Sequence, residues 1–333
     1  MVTNANLWKM LGHDWAVDLL RGHLANGRVR HAYLITGPPG VGRRTLALRF
    51  AQAINCPQPF EPGVPCGTCR SCHLIDIMQH PDLTITQAEH IGGTLKVKQI
   101  RQLQHSLALS PYEATYRLAL ILRFEEANPS AANALLKTLE EPAPQVILLL
   151  TALDPESLLP TIVSRCELIR LRPLALETTS QGLKSHFNIP DQDANLLAHI
   201  SGGRPGYALR LHQDPDALHN RQSWLTDLHN LLTANHVERF AYAESIAKDK
   251  EQLDVILQAW MSFWRDIMLC AAGSSTPLIN LGWKTEIEAL AQRIGLEQAK
   301  NAVKLLERTQ KRLQQNVNTR LAIEVMMLDL PHL

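Results

Sequence analysis

The stretch GPPGVGRRT, Gly37 to Thr45, constrains this chain more than any other. It follows a short apolar run, AYLIT, and precedes a helical one, LALRFAQAI. Gly37 and Gly42 stand in the spacing G-x-x-x-x-G of a loop whose backbone N–H groups cradle phosphate, with Gly40 between them. Such a loop needs a strand behind it and a helix ahead. It therefore commits its surroundings to a parallel α/β sheet, with ligands at the carboxyl ends of the strands. In a working loop the second glycine is followed by Lys and then Ser or Thr. Here Arg43 and Arg44 occupy those two places, ahead of Thr45. The glycines of the turn are kept and the two chemical side chains are not.

These losses have physical weight. The Lys sets a compact ammonium against the β- and γ-phosphates, and the following hydroxyl ligates Mg²⁺. Arg43 retains charge but carries it on a longer stem and a planar fork. Arg44 removes an oxygen ligand and puts a cation where a divalent cation should sit. Thr45 cannot substitute, because one further helical residue rotates its side chain by about 100°.

The rest of the chain fits the sheet that the loop demands. Apolar runs at His31–Thr36, Asp82–Thr86, Arg117–Leu122, Val146–Thr151 and Glu167–Leu171 alternate with amphipathic segments such as Val97–Leu109 and Ala131–Glu141. That alternation predicts a five-stranded parallel sheet covered by helices. Strand signals stop after Arg172-Pro173. A small helical unit follows to about Asp214, and from Asp214-Pro215 onward the pattern is long helix. Leu253, Ile256, Leu257, Trp260, Trp264, Ile267 and Met268 recur at i, i+3, i+4 spacing, as do Leu306, Leu313, Val317, Leu321 and Val325; both stripes read as the core of a helical bundle. The expected layout is an α/β core over 1–173, a helical lid over 174–214 and a helical tail over 215–333.

Between the first two strands lies CPQPFEPGVPCGTCRSC, residues 56–72. Cys66, Cys69 and Cys72 form two overlapping C-x-x-C pairs, and Cys56 lies ten residues upstream. This spacing lets four thiolates converge on one tetrahedral Zn²⁺, closed to water and so structural. Two disulfides or four free thiols are the competing readings. The N-terminal MVTNANLWKMLGHDW has no basic segment leading into an apolar core, and no apolar run reaches 18 residues. The chain therefore reads as cytoplasmic with no membrane partner, where disulfides are disfavoured. Cys166 and Cys270 are isolated and read as core residues. With 33 Lys and Arg against 32 Asp and Glu, the net charge of +1 argues against a strongly basic nucleic-acid coat, though not against a local patch.

Taken together, WKMLGHDWAVDLLRGHLANGRVRHAYLITGPPGVG, the four-cysteine insert, NPSAANALLKTLEEPAP and DPESLLPTIVSRC resemble the clamp-loader subunits of bacterial DNA polymerase III, within the AAA+ superfamily of ATPases. The likeness covers the first 210 residues strongly. It is weaker in the tail, where it rests on the segment from Asn316 to Glu324. It implies an AAA+ P-loop core with a four-cysteine zinc module, a lid domain and an all-α oligomerisation collar.

The resemblance also implies where catalysis should be found. In ATP-hydrolysing relatives the strand ahead of NALLKTLEEP ends in Asp-Glu, whereas counting back from Asn133 gives Leu122 and Arg123. Glu125 and Glu126 fall beyond the strand end, out of that register. In GGRPGYAL, Gly206 aligns where motor subunits carry a phosphate-sensing Arg, with Arg204 close by. These lesions point to the delta-prime branch, in which ATP is not hydrolysed and only loop backbone is left to bind it. Arg165, in SRC, aligns with the arginine that projects into a neighbour's nucleotide site and bridges the γ-phosphate oxygens. The implied partners are the gamma/tau motor and delta subunits in a heteropentamer, the sliding clamp indirectly, and primed DNA through the assembled complex. Lys137, Glu140 and Glu141 form either a solvated face with a Lys137–Glu140 pair or a subunit contact. Lys96, Arg101 and His105 form either a solvated surface or a contact to DNA phosphates. Gly12-His13 aligns with an adenine contact, or only packs the first helix. Two rival functions are an autonomous P-loop ATPase with a divergent site, tested by turnover of the isolated chain, and a stand-alone zinc-dependent DNA-binding module, tested by salt-dependent DNA affinity.

Overall fold

The computed structural model describes residues 8–314 and 317–333; Asn316 of the tail motif lies outside the described residues. The chain divides into two compact units, one of residues 1–194 with 203–207 and one of residues 195–202 with 208–333.

The first unit is built on five parallel strands: β1 (Ala32–Thr36), β2 (Leu83–Thr86), β3 (Arg117–Ile121), β4 (Val146–Ala152) and β5 (Glu167–Arg170). Their order is β2-β3-β4-β1-β5, so β1 lies inside the sheet, with β4 on one side and β5 on the other. Each strand lies within one residue of its sequence expectation. The residues lost at the ends still bond to the ladder: His31 O accepts from Leu148 N, and Leu171 N donates to Thr36 O. β1 and β4 are buried along their whole length, as strands covered on both faces must be.

Side chains alternate across the sheet. Tyr33, Ile35, Leu118, Leu120, Ile147 and Leu149 join one core cluster, which takes in α1 (Asp14–Ala25) and α2 (Arg43–Asn55). Leu34, Ala119, Ile121, Leu148 and Leu150 join the other, against α4 (Val97–Leu107) and α5 (Pro129–Glu140). The short α3 (Arg70–Asp76), in the cysteine segment, comes between these pairs, and α6 (Pro160–Val163) follows them ahead of β5. The start of α5 is written locally: Asn128 caps it by accepting from Ala131 N at 2.8 Å, and Pro129 fills its first turn. α7 (Leu176–Phe187), α8 (Asp191–Ser201) and α9 (Pro205–Gln213) follow.

The second unit is helical, through α10 (Pro215–Leu231), α11 (His236–Ile246), α12 (Lys250–Ala271), α13 (Lys284–Gln314, broken at Gly295) and α14 (Thr319–Asp329). Of the first apolar stripe, Leu253 to Ile267 are fully buried on α12, and Met268 packs against them. The second stripe holds less well. Leu306 is buried, but Val317 and Leu321 are exposed, because the stripe runs across a helix break. Asn318 starts α14 afresh by accepting from Leu321 N, which resets the phase, and Ala322, Ile323, Met326 and Met327 become its inner face. No helix among the described residues is long and apolar enough to cross a membrane.

Arg239 on α11 is a buried polar hub of this unit, only 1% exposed. Its guanidinium donates to Leu231 O, Met327 O, Leu330 O and Pro331 O, each at 2.9 Å. Burial works against its charge. The offset is that these carbonyls sit at the C-terminal ends of α10 and α14, where helix dipoles favour a cation. Arg239→Met, similar in length but without donors, should lower unfolding free energy by about 3 kcal/mol, since it orphans several buried carbonyls. Urea titration of the two proteins checks this; equal midpoints and slopes would contradict it.

Candidate functional site

The phosphate loop leaves β1 at Thr36 and enters α2 at Arg43. Gly37 is required there: its φ is 146°, and a Cβ would lie 2.4 Å from Leu171 O. Gly40 is required for another reason. Its O accepts from Gly206 N at 2.8 Å, and a Cβ would meet Tyr207 N at 2.7 Å. The start of α9 is thus seated on the loop backbone, with the Arg204 guanidinium over the Tyr207 ring at 4.7 Å. On the other side, His13 Nε2 donates to Val41 O at 3.0 Å; burial pushes the imidazole pKa down, so the neutral ring makes this bond. Gly12-His13 therefore packs the first helix onto the loop.

Of the side chains singled out in the loop and after β3, some turn inward and some face solvent. Arg43 turns inward, and its Nη1 lies 3.9 Å from Glu125 Oε1, with the side chains 11% and 14% exposed. Arg44 and Thr45 are exposed. Leu122 is buried in the core of the first sheet face and offers nothing to a metal. Arg123 takes a left-handed φ of 52°, donates its backbone N–H to Thr151 Oγ1, and pairs through Nε with Glu126 Oε1 at 2.9 Å. The backbone turn at Arg123 and the 3-10 segment Phe124–Glu126 carry Glu125 back to the loop, although linear counting places it out of register.

Electrostatics fit this arrangement. Burial raises the Glu125 pKa, opposed by Arg43 and reinforced by Glu126. Burial likewise acts against the charge on Arg43, opposed by Glu125. Arg43 Nη1, Glu125 Oε2 and Glu126 Oε2 are all buried without a hydrogen bond. Two cations, Arg43 and Arg123, and two carboxylates, Glu125 and Glu126, thus gather beside the loop.

The cysteine module is assembled from three directions. Cys56 caps the C-terminus of α2, Cys66 lies in the turn before α3, and Cys69 and Cys72 belong to the N-cap and first turn of α3. All four Sγ atoms lie within 4.8 Å of one another. The separations Cys56–Cys66, Cys56–Cys69 and Cys66–Cys72 are 3.5, 4.0 and 4.0 Å. A tetrahedron of sulfurs about 2.3 Å from a metal has edges of about 3.8 Å, so the residues fit one ion. Backbone N–H groups of Cys66, Cys69 and Cys72 point at the sulfurs of Cys56, Cys66 and Cys69 and favour thiolates. The Thr68 backbone leads in pulling Cys66 down to about 6, while burial pushes Cys56 and Cys72 up. If all four ionised, thiolates this close would need a cation between them, so the cluster could hold a metal ion. None of the six cysteines is disulfide-bonded.

Arg165 follows α6 at the edge of the unit, 35% exposed; its Nη2 lies 2.7 Å from Glu140 Oε1 and its Nη1 donates to Thr161 O at 2.8 Å. Glu140 is thus turned to Arg165. Val97, Lys98, Arg101, Gln102 and His105 on α4 line a shallow cavity of about 620 Å³, and Lys96, Arg101 and His105 are all exposed. Neither the Arg43–Glu125 nor the Arg165–Glu140 partnership is foreseen by residue spacing. The only signal for them along the chain is the cluster of acids after β3 and at the end of α5.

Comparison with known proteins gives a consistent set. Residues 12–175 match the family model described as DNA polymerase III, delta subunit, and residues 215–332 the one described as DNA polymerase III, delta subunit, C terminal. The DNA polymerase III subunit delta' of Pseudomonas aeruginosa is 37% identical over 190 residues, which spans 55% of this chain and only 56% of that relative. The subunit delta' of Bacillus subtilis is 28% identical over 317 residues, 94% of each chain. The subunit tau/gamma of Haemophilus influenzae is 32% identical over 242 residues, 70% of this chain and 35% of its own.

Proposed function

Because the chain belongs to the DNA polymerase III delta-subunit family, we propose that it is a non-hydrolysing, delta-prime-like subunit of a cytoplasmic clamp loader. It joins gamma/tau-type motor subunits and a delta subunit in a heteropentamer that places a sliding clamp on primed DNA. Residues 1–173 act as a P-loop-like core, 174–214 as a lid and 215–333 as the oligomerisation collar. Cys56, Cys66, Cys69 and Cys72 hold a structural zinc ion. Arg165 acts in trans, bridging γ-phosphate oxygens in the adjoining motor subunit.

The observation that carries the silent-site reading is the largely enclosed Arg43–Glu125 pair. A cation neutralised within the chain does not reach for a phosphate, and Leu122 leaves no carboxylate where water and Mg²⁺ must be held. The loop survives because its glycines turn the strand into the helix and seat Gly206 and Tyr207.

The isolated chain should hydrolyse ATP no faster than background, with or without primed DNA. Arg43→Lys combined with Arg44→Thr should not restore turnover, since Leu122 and Arg123 leave the other half of the metal site empty. Mixed with the motor and delta subunits of its own organism, the chain should enter one defined complex on sizing. Magnesium-dependent turnover by the unmodified chain, or failure to enter that complex, would overturn the reading.

A further inference from the structure

Arg165 does not stand free at the edge of its unit. Nη2 is held by Glu140 Oε1 at 2.7 Å, and Nη1 by Thr161 O at 2.8 Å, with Ser164 Oγ at 3.5 Å. Both terminal nitrogens of the fork are engaged within the chain. These are the groups that a bidentate contact with phosphate oxygens would use.

Glu140 gains little from its own helix. It is the last residue of α5, and Glu141 follows at the C-cap. Carboxylates there face the negative end of the helix dipole and are disfavoured. Nor is Glu140 held by packing, since its side chain is 50% exposed. What it faces is Arg165.

We infer that Glu140 is a positioning residue that parks the Arg165 guanidinium on its own subunit, so that an arriving γ-phosphate must displace it. This rests on the reading of Arg165 as a trans-acting finger. A phosphate drawn to the same fork comes close to the Glu140 carboxylate, and like charges at that range repel. The pair must therefore open before the finger engages. Because both partners are partly exposed, the hold is weak: such pairs shift an equilibrium by about fivefold at most, and salt weakens them. The finger is kept from random contacts yet released by any well-placed phosphate. The pair also links two segments far apart in the chain, NALLKTLEEP and SRC, through a single contact.

The test is a double-mutant cycle in a reassembled pentamer whose other motor sites are disabled, with ATP turnover at the adjoining site measured in the presence of clamp and primed DNA. Glu140→Gln keeps the shape of the side chain and removes its charge. It should raise turnover about two- to fivefold, and the advantage over wild type should shrink towards one as salt rises. Glu140→Lys, which repels Arg165, should act in the same direction. In the Arg165→Ala background, Glu140→Gln should have no effect. An increase that persists without Arg165, one indifferent to salt, or turnover at or below wild type in Glu140→Gln overturns the inference. Turnover unchanged by Arg165→Ala alone overturns the finger reading beneath it, so the two failures are distinguishable. Melting curves of the isolated variants, expected to match wild type, separate a folding defect from either.

Discussion

Arg165→Ala should leave the chain folded and the pentamer assembled while lowering turnover at the adjoining motor site by about 10³–10⁵-fold, the range for an arginine finger in phosphoryl transfer. Folding should survive because the side chain is partly exposed and its one ion pair lies at the surface, where such pairs contribute roughly 0–1 kcal/mol. The bulk rate should fall much less than the single-site rate, since other motor sites in the ring keep their own fingers. Single-turnover measurement on a ring whose other motor sites are disabled isolates the effect. Arg165→Lys should rescue only in part: an ammonium replaces the charge but cannot form the two-pronged contact. An unchanged single-site rate in Arg165→Ala would reduce this chain to a scaffold.

The second large effect belongs to the cysteine module. The purified chain should carry about one tightly held Zn²⁺ with all-sulfur coordination, and Cys69→Ser should lose it. Structural zinc in small peptides has an apparent binding free energy of about 10–16 kcal/mol at neutral pH, larger than any other single contact in such a module. The loss should spread in a defined direction. Trp8 Nε1 donates to Gly63 O at 2.9 Å, Arg21 pairs with Glu61 at 3.2 Å, and Gln52 Nε2 donates to Cys72 O at 2.7 Å. Zinc removal should therefore speed hydrogen exchange through the module, at Trp8 and in the last turn of α2, before it reaches β1 and β4. Metal content well under half an equivalent, or disulfides in the native chain, would contradict the assignment. So would exchange that rises first in the sheet.

The elements read most accurately from sequence are those whose causes are local. Strand ends came within one residue because runs such as AYLIT and VILLLTA are buried on both faces and bounded by polar or turn residues. The cysteine spacing announced its cluster because C-x-x-C geometry is set by a single tight turn. The second apolar stripe was misread at Val317 and Leu321 because periodicity carries no mark of where a helix stops and a new one starts in another phase.

The sequence by itself determined the kind of sheet, the survival of the glycine loop without its Lys and hydroxyl, and the four sulfurs that could hold a metal ion. Each follows from residue type at fixed short spacing. Only the tertiary structure decided that Glu125 returns to Arg43, that Glu140 holds Arg165, and that Arg239 gathers the ends of two helices. Apart from Arg239 and Leu231, which are eight residues apart, these partners lie far apart in the chain, and their meeting depends on how sheet strands and helix ends are placed. A left-handed turn at Arg123 brings an out-of-register carboxylate home. The close of α5 brings Glu140 to Arg165 just after α6. Charge pairing is decided by distance in space, and no spacing along the chain encodes that distance.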